Sequence, residues 1–445
     1  MKDKAKKADN KKFEEVKNVP YQLPEEWRWV RLGEIAEINP KKSEIYKENR
    51  YKKNDNLIVS FIPMSYVDDI KGKILKQDEK SIKEVYKGYT YFKEGDIVFA
   101  KITPCMENGK CAIAENLMNG IGFGSTEFHV IRVKENISNK LIWFYLRLER
   151  TRNEAKKYFT GAVGHKRVPK EVLENFIIPL PFKNNQPDLE KQKQIVEKIE
   201  AIFEKIDEAI TLRQKALEDT KKLFESVLNK IFKEAEEDKE NWKWVKLGDG
   251  KYTKIIKSGI EYFEGNKKYL STKSIQFDKI VKIEKIITFD DRPSRANMQP
   301  VLNSIWFAKM INTIKVYNFS QKNENEIFEF ILSTGFLGLI YDTNSINGNF
   351  LKYIFLSNYF NKIKNNLCAG TTQKALNNHN AKLIKIPIPY KNNQPDLQKQ
   401  KEIAEYLDNL HNKIKTLEEL QKIQLAKFKE LKESILNKAF RGELV

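Results

Sequence analysis

The sequence has few of the residues that build metal sites, disulfide frameworks or membrane spans. Its 445 residues include three cysteines and four histidines, and neither type occurs at the spacing of a zinc-binding motif. No apolar run reaches the roughly 18 residues of a membrane helix, and the lysine-rich start of the chain has no apolar core typical of a signal peptide. We therefore expect a cytoplasmic protein with reduced thiols and no metal site.

Motifs of the enzymes that modify nucleotides or DNA are also missing. There is no Asp/Asn-Pro-Pro-aromatic run of an adenine methyltransferase and no Gly-x-Gly signature for its methyl donor. The phosphate-binding loop Gly-x4-Gly-Lys-Ser/Thr is absent, as is the Asp…Glu-x-Lys cluster of many nucleases. The sequence therefore predicts a binding protein rather than an enzyme.

The sequence does contain a long internal repeat. The heptapeptide Lys-Asn-Asn-Gln-Pro-Asp-Leu occupies residues 183–189 and recurs unchanged at residues 391–397, 208 positions later. Each copy follows a Pro-x-Pro run and precedes about 45 residues of helical pattern. This repeat is too long for a solenoid unit. It indicates two related modules, each followed by a long helix.

Shorter anchors recur inside the two modules. The matched pairs are residues 27–33 with 242–248, residues 97–101 with 305–309, and residues 125–128 with 333–336. Short apolar runs punctuated by turn residues, together with some helical pattern, predict an α/β fold in each module. The sequences between the anchors are unrelated. Two binding domains with different targets would show this combination of a shared scaffold and different loops.

The formal net charge of +19 is concentrated in the modules, because both helical segments are nearly balanced in charge. Basic surfaces are typical of proteins that bind nucleic acid. One alternative stays open at this point: the chain is rich in Lys, Asn and Ile, as the product of an AT-rich genome would be.

Each helical segment carries one apolar stripe with three- and four-residue spacing. At about 1.5 Å per residue each helix is roughly 65–70 Å long, so its stripe requires another helix of similar length. The repeat predicts an antiparallel pair with one module at each end. The predicted seam residues are Ile195, Ile199, Ile202, Ile206, Arg213, Phe224, Ile403, Leu407, Leu410, Ile414, Gln421 and Phe428.

Arg213 and Gln421 occupy matching steps near the middle of their helices. Polar residues in an apolar seam can fix its register, which predicts that both lie near the crossing of the helices. The alternative is that both side chains point to solvent where the stripe thins.

The order of these elements resembles the DNA-specificity (S) subunit of type I restriction-modification systems over about residues 21–445. The resemblance rests on the Trp-x-x-Val-x-Leu-Gly opening of each module (Trp-Arg-Trp-Val-Arg-Leu-Gly and Trp-Lys-Trp-Val-Lys-Leu-Gly), the Pro-x-Pro exit and the Leu-Asn-Lys-x-Phe helix ending. It also rests on the helix start Gln-x3-Ile/Val-x3-Ile/Leu. The resemblance implies two pseudo-symmetric α/β target recognition domains joined by an antiparallel two-helix coiled coil.

The resemblance also implies a domain plan and a role in host defence. The plan comprises two target recognition domains (residues 21–182 and 237–390), a central spacer helix (residues 183–236) and a C-terminal one (residues 391–445). The lysine-rich, polar composition of residues 1–20 predicts a disordered basic tail before them. The expected partners are double-stranded DNA with a bipartite asymmetric site, two modification (methyltransferase) subunits and restriction subunits. S-adenosylmethionine, ATP and magnesium are expected on those partners, and no cofactor on this chain.

Basic and polar loops of the two modules, including the run at residues 292–295 that is unique to the second, are the candidate DNA contacts. A loop follows a strand at residues 101–104 and again at residues 309–312, and Gly-led loops occupy residues 161–167 and 370–374. The candidates are Lys101, Thr103, His165, Lys166, Arg167, Arg292, Arg295, Lys309, Asn312, Gln373 and Lys374.

Other functions remain open at the level of sequence. The chain could serve a fused restriction-methylation polypeptide, which the neighbouring gene would reveal. It could instead be a structural coiled-coil protein that binds DNA without sequence preference, which a gel shift against random duplexes would test. An enzyme is the remaining class, and methyl transfer by the purified chain alone would support it.

Overall fold

The computed structural model describes residue 13 and residues 16–47, 56–162, 165–370 and 374–444. The chain divides into two compact units, Met1–Leu212 with Gln424–Val445 and Arg213–Ile423. Both units combine sheets with helices, and each contains part of both long helices.

The first unit contains eleven strands in its described part. They are β1 (Trp27–Arg31), β2 (Ala36–Ile38), β3 (Ile58–Ile62), β4 (Asp78–Ser81), β5 (Thr90–Lys93), β6 (Ile97–Ala100), β7 (Cys111–Ile113), β8 (Ile121–Gly124), β9 (Phe128–Val133), β10 (Ile177–Lys183) and β11 (Gln186–Pro187). The helices are α1 (Leu32–Ile35), α2 (Ile82–Val85), α3 (Asn139–Arg147), α4 (Glu149–Lys157), α5 (Lys170–Glu174) and the first part of α6 (Leu189–Glu237).

The second unit begins within α6. Its strands are β12 (Trp242–Lys246), β13 (Thr253–Ile255), β14 (Lys267–Leu270), β15 (Ile275–Gln276), β16 (Lys279–Ile280), β17 (Lys285–Ile287), β18 (Ala296–Met298), β19 (Ser304–Ala308), β20 (Val316–Phe319), β21 (Phe330–Ser333), β22 (Phe336–Tyr341), β23 (Lys385–Lys391) and β24 (Gln394–Pro395). The helices are α7 (Glu326–Glu329), α8 (Gly348–Leu356), α9 (Asn358–Asn366), α10 (Asn378–Ala381) and α11 (Leu397–Phe440), which ends in the first unit.

The sheets of the two units have the same topology. The orders β1-β10-β11, β2-β9-β6-β7 and β4-β3-β8-β5 correspond to β12-β23-β24, β13-β22-β19-β20 and β17-β14-β21-β18. The parallel pair β3–β8 also corresponds to the parallel pair β14–β21. The second unit adds the hairpin β15–β16. The repeat seen in the anchors therefore extends to the whole fold of each unit.

The heptapeptide forms a hairpin followed by a helix cap. Asn184 and Asn185 have positive φ values of 52° and 62°, as a two-residue turn between antiparallel strands requires. The Asp188 carboxylate then accepts a 3.0 Å hydrogen bond from the Lys191 N–H in the first turn of α6. Asn392, Asn393 and Asp396 repeat this arrangement before α11.

The opening and exit anchors of each module are hydrogen-bonded neighbours. Trp27 and Trp29 of β1 pair with Pro181 and Pro179 of β10, and the second unit pairs β12 with β23 in the same register. Alternate N–H groups of a strand point to opposite edges. Prolines two residues apart in β10 therefore remove backbone N–H donors from one edge of the strand only. The other edge, which faces β1, keeps its donors.

A buried glutamine ties each long helix to its module. The Gln192 side chain accepts from the Ser138 N–H at 2.9 Å and donates to the Asn136 carbonyl at 3.3 Å, just before α3. Gln400 makes the same pair of contacts with Asn347 and Ser345 before α8. Both glutamines are fully buried. The Gln-x3-Ile helix start therefore includes a specific polar attachment.

Within each unit the two long helices run antiparallel. In the first unit, Lys432 of α11 forms a 2.6 Å ion pair with Asp207 of α6 and lies 4.8 Å from the Phe203 ring centroid. In the second unit, the rings of Phe224 (α6) and His411 (α11) are 5.4 Å apart. Each of these contacts joins α6 to α11 within its own unit.

The predicted seam residues differ in burial. Ile195, Ile199, Ile206, Phe224, Leu407 and Ile414 are buried, while Ile202, Ile403, Leu410, Gln421 and Phe428 are half-buried. Arg213 is exposed, so its placement in the seam was wrong. The guanidinium remains hydrated where the stripe thins, beside Leu212, which is also exposed.

The predicted domain plan differs from the compact units in two respects. The units divide both long helices, whereas the plan separates the helices from the modules. The predicted disordered tail falls mostly on residues 1–12 and 14–15, outside the described residues. Phe13 is described, and its ring packs edge-on against Phe182 at 5.3 Å, so this part of the tail is attached to the first unit.

Candidate nucleic-acid interface

Two of the predicted loops meet in the first unit. The loop after β6 and the Gly-led loop lie side by side, because the Val168 N–H donates to the Lys101 carbonyl at 2.9 Å and the Thr103 N–H donates to the Lys166 carbonyl at 3.0 Å. The turn before β9 joins them, since the Lys101 N–H donates to the Glu127 carbonyl at 2.9 Å. We call residues 101–104, 125–127 and the described part of 160–168 the first loop site.

The second unit repeats these three backbone hydrogen bonds. Leu376 N–H donates to Lys309 O at 2.8 Å, Ile311 N–H donates to Lys374 O at 3.1 Å, and Lys309 N–H donates to Gly335 O at 3.0 Å. Each residue in these three hydrogen bonds lies 208 positions after its counterpart in the first unit. Residues 309–312, 333–335 and the described part of 369–376 form the second loop site.

The side chains of the first loop site surround one carboxylate. Arg167 donates to both oxygens of Glu127 at 2.8 Å, while His165 and Lys166 are exposed. The hydrogen bonds from Arg167 lower the pKa of Glu127, and the charges of Arg167, Lys101 and His165 lower it further. Glu127 is therefore ionised at neutral pH.

The second loop site places cations beside each other. Arg295 lies at this site because the Thr334 N–H donates to its carbonyl at 2.8 Å. Burial lowers the pKa of the half-buried Lys309, and the positive charge of Arg295 lowers it further. Lys374 is exposed in the neighbouring loop. Gly335 occupies the position of Glu127, so this turn lacks the carboxylate of the first loop site.

Three other candidates make contacts within the protein. The Thr103 hydroxyl donates to Glu107. The Arg292 guanidinium lies 4.0 Å from the Phe289 ring centroid and donates to the Phe289 carbonyl. Asn312 is bonded through its N–H and its side chain to Asn365 at 3.0 Å. Gln373 lies outside the described residues.

A search of known families and structures gives a clear relationship. The family described as type I restriction modification DNA specificity domain matches residues 24–218 and again residues 221–426.

The chain belongs to this family.

Individual relatives agree with this membership. The specificity subunit of the type I restriction enzyme EcoAI from Escherichia coli is 36% identical over 226 residues, or 50% of this chain. That match covers only about a third (36%) of the length of the E. coli protein. The MjaVIII specificity subunit of Methanocaldococcus jannaschii is 27% identical over 446 residues, which cover 95% of this chain and 94% of that protein.

Solved structures share the fold of this family member. The HsdS subunit from Thermoanaerobacter tengcongensis superposes with a TM-score of 0.59 at 23% identity, over 95% of this chain and 99% of that chain. A chain from a structure on complex assembly of the type I R-M system superposes with a TM-score of 0.72 at 23% identity. This match covers 95% of this chain and 100% of that chain. The predicted fold class, two α/β domains with a long antiparallel helix pair, is confirmed.

Sequence reasoning missed the residues that hold the loop sites of this family member in place. Glu127 lies in a recognised anchor, but the anchor gave no sign that its carboxylate would meet Arg167, which is 40 positions away. The contrast between Glu127 and Gly335 at matched positions was the available signal.

Lys364 was also missed. Its buried ammonium donates to the carbonyls of Ala308 and Thr313, on either side of the loop that carries Lys309. Burial lowers the pKa of Lys364 to about 8. In the first unit, the matched Lys156 is exposed and forms a 2.7 Å ion pair with Glu107.

Metal-ligand clusters and membrane-spanning helices were not found in the described residues. Across the described ranges, no group of three or more His, Cys, Asp or Glu side chains is arranged to hold a metal ion. None of the described helices is both long enough and apolar enough to cross a membrane.

Proposed function

We propose that the chain is the sequence-specific DNA-binding subunit of a type I restriction-modification complex. Each unit reads one half of a bipartite, asymmetric site through its loop site. The observation that carries this proposal is the combination of a repeated backbone and different side chains at the two loop sites. A shared backbone presents side chains in equivalent positions, while different side chains contact different base edges.

The charges of the loop sites support contact with DNA. Exposed His165 and Lys166 in the first unit, and Arg295 and Lys374 in the second, are positioned to contact phosphates or base edges. Lys101, Arg167 and Lys309 lie closer to the backbone of each loop site and complete the set. Gln373 remains a predicted contact.

The long helices provide a surface for protein partners. Within the second unit, α11 exposes Tyr406, Leu417, Leu420 and Ile423, each between 46% and 58% exposed. Large apolar side chains grouped on one helix are typical of interaction surfaces. We assign this surface to the modification subunits, two of which dock on the chain, with restriction subunits joining the complex.

The chain itself contributes recognition rather than catalysis. The modification and restriction subunits bind S-adenosylmethionine, ATP and magnesium and carry out adenine methylation and DNA cleavage. The complex acts in the cytoplasm, where it protects the host genome by methylation.

Methylation mapping tests this proposal. The chain is co-expressed with its modification subunits in a host without other adenine methyltransferases, and methylated adenines are mapped across the genome. We expect one gapped, asymmetric motif that disappears when this chain is omitted. Methylation that persists without the chain, or that lacks a gapped motif, contradicts the proposal.

A binding experiment separates sequence recognition from general affinity for DNA. Labelled duplexes with the mapped motif compete against random duplexes for the full chain. Preferential binding to the motif is expected. Equal competition would favour a structural protein with non-specific DNA binding.

A further inference from the structure

Arg167 has unused hydrogen-bond donors in a fixed position. Its Nε donates to Glu127 Oε2 and its Nη2 to Oε1, both at 2.8 Å, while Nη1 donates to the His165 carbonyl at 2.8 Å. A guanidinium has five N–H donors, so one donor remains on Nη1 and one on Nη2. These two atoms form the end of the planar fork. Its orientation is fixed by three bonds before any ligand arrives.

The remaining donors are accessible. The Arg167 side chain is 42% exposed and the Glu127 side chain 24%. The ion pair is therefore too exposed to contribute much to the stability of the fold. We therefore explain this planar, bidentate ion pair by its effect on orientation, because Glu127 fixes the direction of the Arg167 guanidinium.

The surroundings of Arg167 suit contact with DNA. His165 and Lys166 are exposed on the same loop, and Lys101 lies within electrostatic reach of Glu127. Basic side chains of this kind can contact DNA phosphates. The ion pair is particular to the first unit, because Gly335 and Ala375 occupy the matched positions in the second.

We infer that Arg167 reads a guanine in the half-site bound by the first unit, and that Glu127 is the positioning residue that orients it. This inference rests on the proposed function. Guanine presents two acceptors, O6 and N7, in the major groove, and they match a fork that offers two donors. Adenine presents N7 beside an amino donor, which would face an arginine N–H. The fixed fork therefore favours guanine over adenine.

Base-specific competition tests this role. The full chain with its modification subunits is measured against duplexes in which each guanine of the motif is replaced in turn by 7-deazaguanine or adenine. For the wild-type complex, we expect one position in one half-site where replacement weakens binding on the order of tenfold to 100-fold. Arg167→Ala should abolish the loss of affinity caused by replacement at that position, and Arg167→Lys, which keeps donors but loses the fixed planar fork, should reduce it; the effects at other positions should stay unchanged.

Variants of neighbouring residues separate positioning from folding. Glu127→Gln keeps the size of the side chain but weakens its hydrogen bonds with Arg167. It should therefore reduce the loss of affinity that replacing guanine at the same position causes. Lys166→Ala is the matched control in the same loop. It should weaken binding equally for all sequences and reduce the salt dependence by about one phosphate contact.

Three results would overturn the inference. One is a half-site motif without guanine, and another is an Arg167→Ala complex that retains every base penalty. The third is a uniform loss of affinity in Arg167→Lys, because a structural ion pair would affect all sequences alike. In these cases the gapped motif still supports the proposed function, whereas a complex without any motif would refute both proposals.

Discussion

The two loop sites share a backbone but are held in place by different chemistry. In the first unit, ion pairs join the loops to their surroundings, namely Arg167 with Glu127 and Lys156 with Glu107. In the second, the buried ammonium of Lys364 donates to the carbonyls of Ala308 and Thr313 on either side of the loop, and the Asn365 side chain accepts a hydrogen bond from the Asn312 N–H. A fold that fixes the loop backbone by main-chain hydrogen bonds leaves the side chains free to differ. Under the proposed function, one architecture can therefore read two different DNA half-sites.

The same contrast extends into the sheets. In the first unit, Arg132 donates to both oxygens of the buried Asp96 at 2.8 and 2.7 Å. The matched positions of the second unit hold Ser304, whose hydroxyl donates to the Val301 carbonyl, and Ile340. The first unit thus depends on a charged pair where the second uses a neutral hydroxyl.

Arg132→Ala should have the largest effect on stability. It leaves the Asp96 carboxylate buried without its cation, which typically costs about 3–5 kcal/mol. Hydrogen exchange, read separately for peptides of the two units, measures the loss, and it should be confined to the first unit. Ile340→Ala is the matched control. Because the Ile340 side chain is partly exposed, its truncation should destabilise the second unit by well under half as much. Equal losses of stability in the two variants would contradict the difference between the units.

Lys364 should make the stability of the second unit depend on alkaline pH. Its pKa is about 8 in the folded chain, against an ordinary value of 10.5, so the unfolded chain binds more protons between these values. Stability therefore rises as pH increases from 8 toward 10.5, by about 3 kcal/mol in total at roughly 1.4 kcal/mol per pKa unit.

Hydrogen exchange corrected for pH, or urea unfolding between pH 7.5 and 10, tests this dependence. Lys364→Met should flatten the rise, because no buried amine remains to lose its proton. Lys156→Met at the matched, exposed position should leave the pH profile of the first unit unchanged. An identical alkaline profile in wild type and Lys364→Met would show that Lys364 is not the responsible group.

The two buried glutamines should behave alike, since their contacts repeat in both units. Gln192→Ala and Gln400→Ala each leave a backbone N–H and a carbonyl without a partner, which costs about 1–3 kcal/mol. Exchange at the start of α3 should rise in the first variant, and exchange at the start of α8 in the second. Unequal losses would show that the matched contacts are energetically different.

Single basic residues should have the smallest effects. Lys309→Ala and Arg295→Ala should weaken DNA binding for all sequences and lower the slope of log affinity against log salt by about 1 each. Arg292→Ala should leave this slope unchanged, because its guanidinium packs on Phe289. Binding titrations across salt concentrations measure all three, and a lower slope for Arg292→Ala would place it at the DNA.

Much of the candidate site depended on contacts that no local pattern reveals. The loops around Lys101 and Lys309 could be selected because they follow buried strands in both halves of the repeat. The ion pair of Arg167 with Glu127 and the buried contacts of Lys364 join residues 40 to 56 positions apart. Arg292 and Asn312 were also among the predicted DNA contacts, and both make contacts within the protein.

The duplication, the turn and cap in each heptapeptide, and the apolar stripes of the two helices all follow from the amino-acid sequence alone. These features follow from local chemistry: asparagine tolerates positive φ, aspartate caps a helix, and helical periodicity places apolar residues on one face. Three features became visible in the tertiary structure alone. They are the contacts between the loops, the ion pair through which Glu127 orients Arg167, and the exposure of Arg213 to solvent. Those outcomes depend on burial and on distances between residues far apart in the chain, and side-chain identity alone does not fix either one.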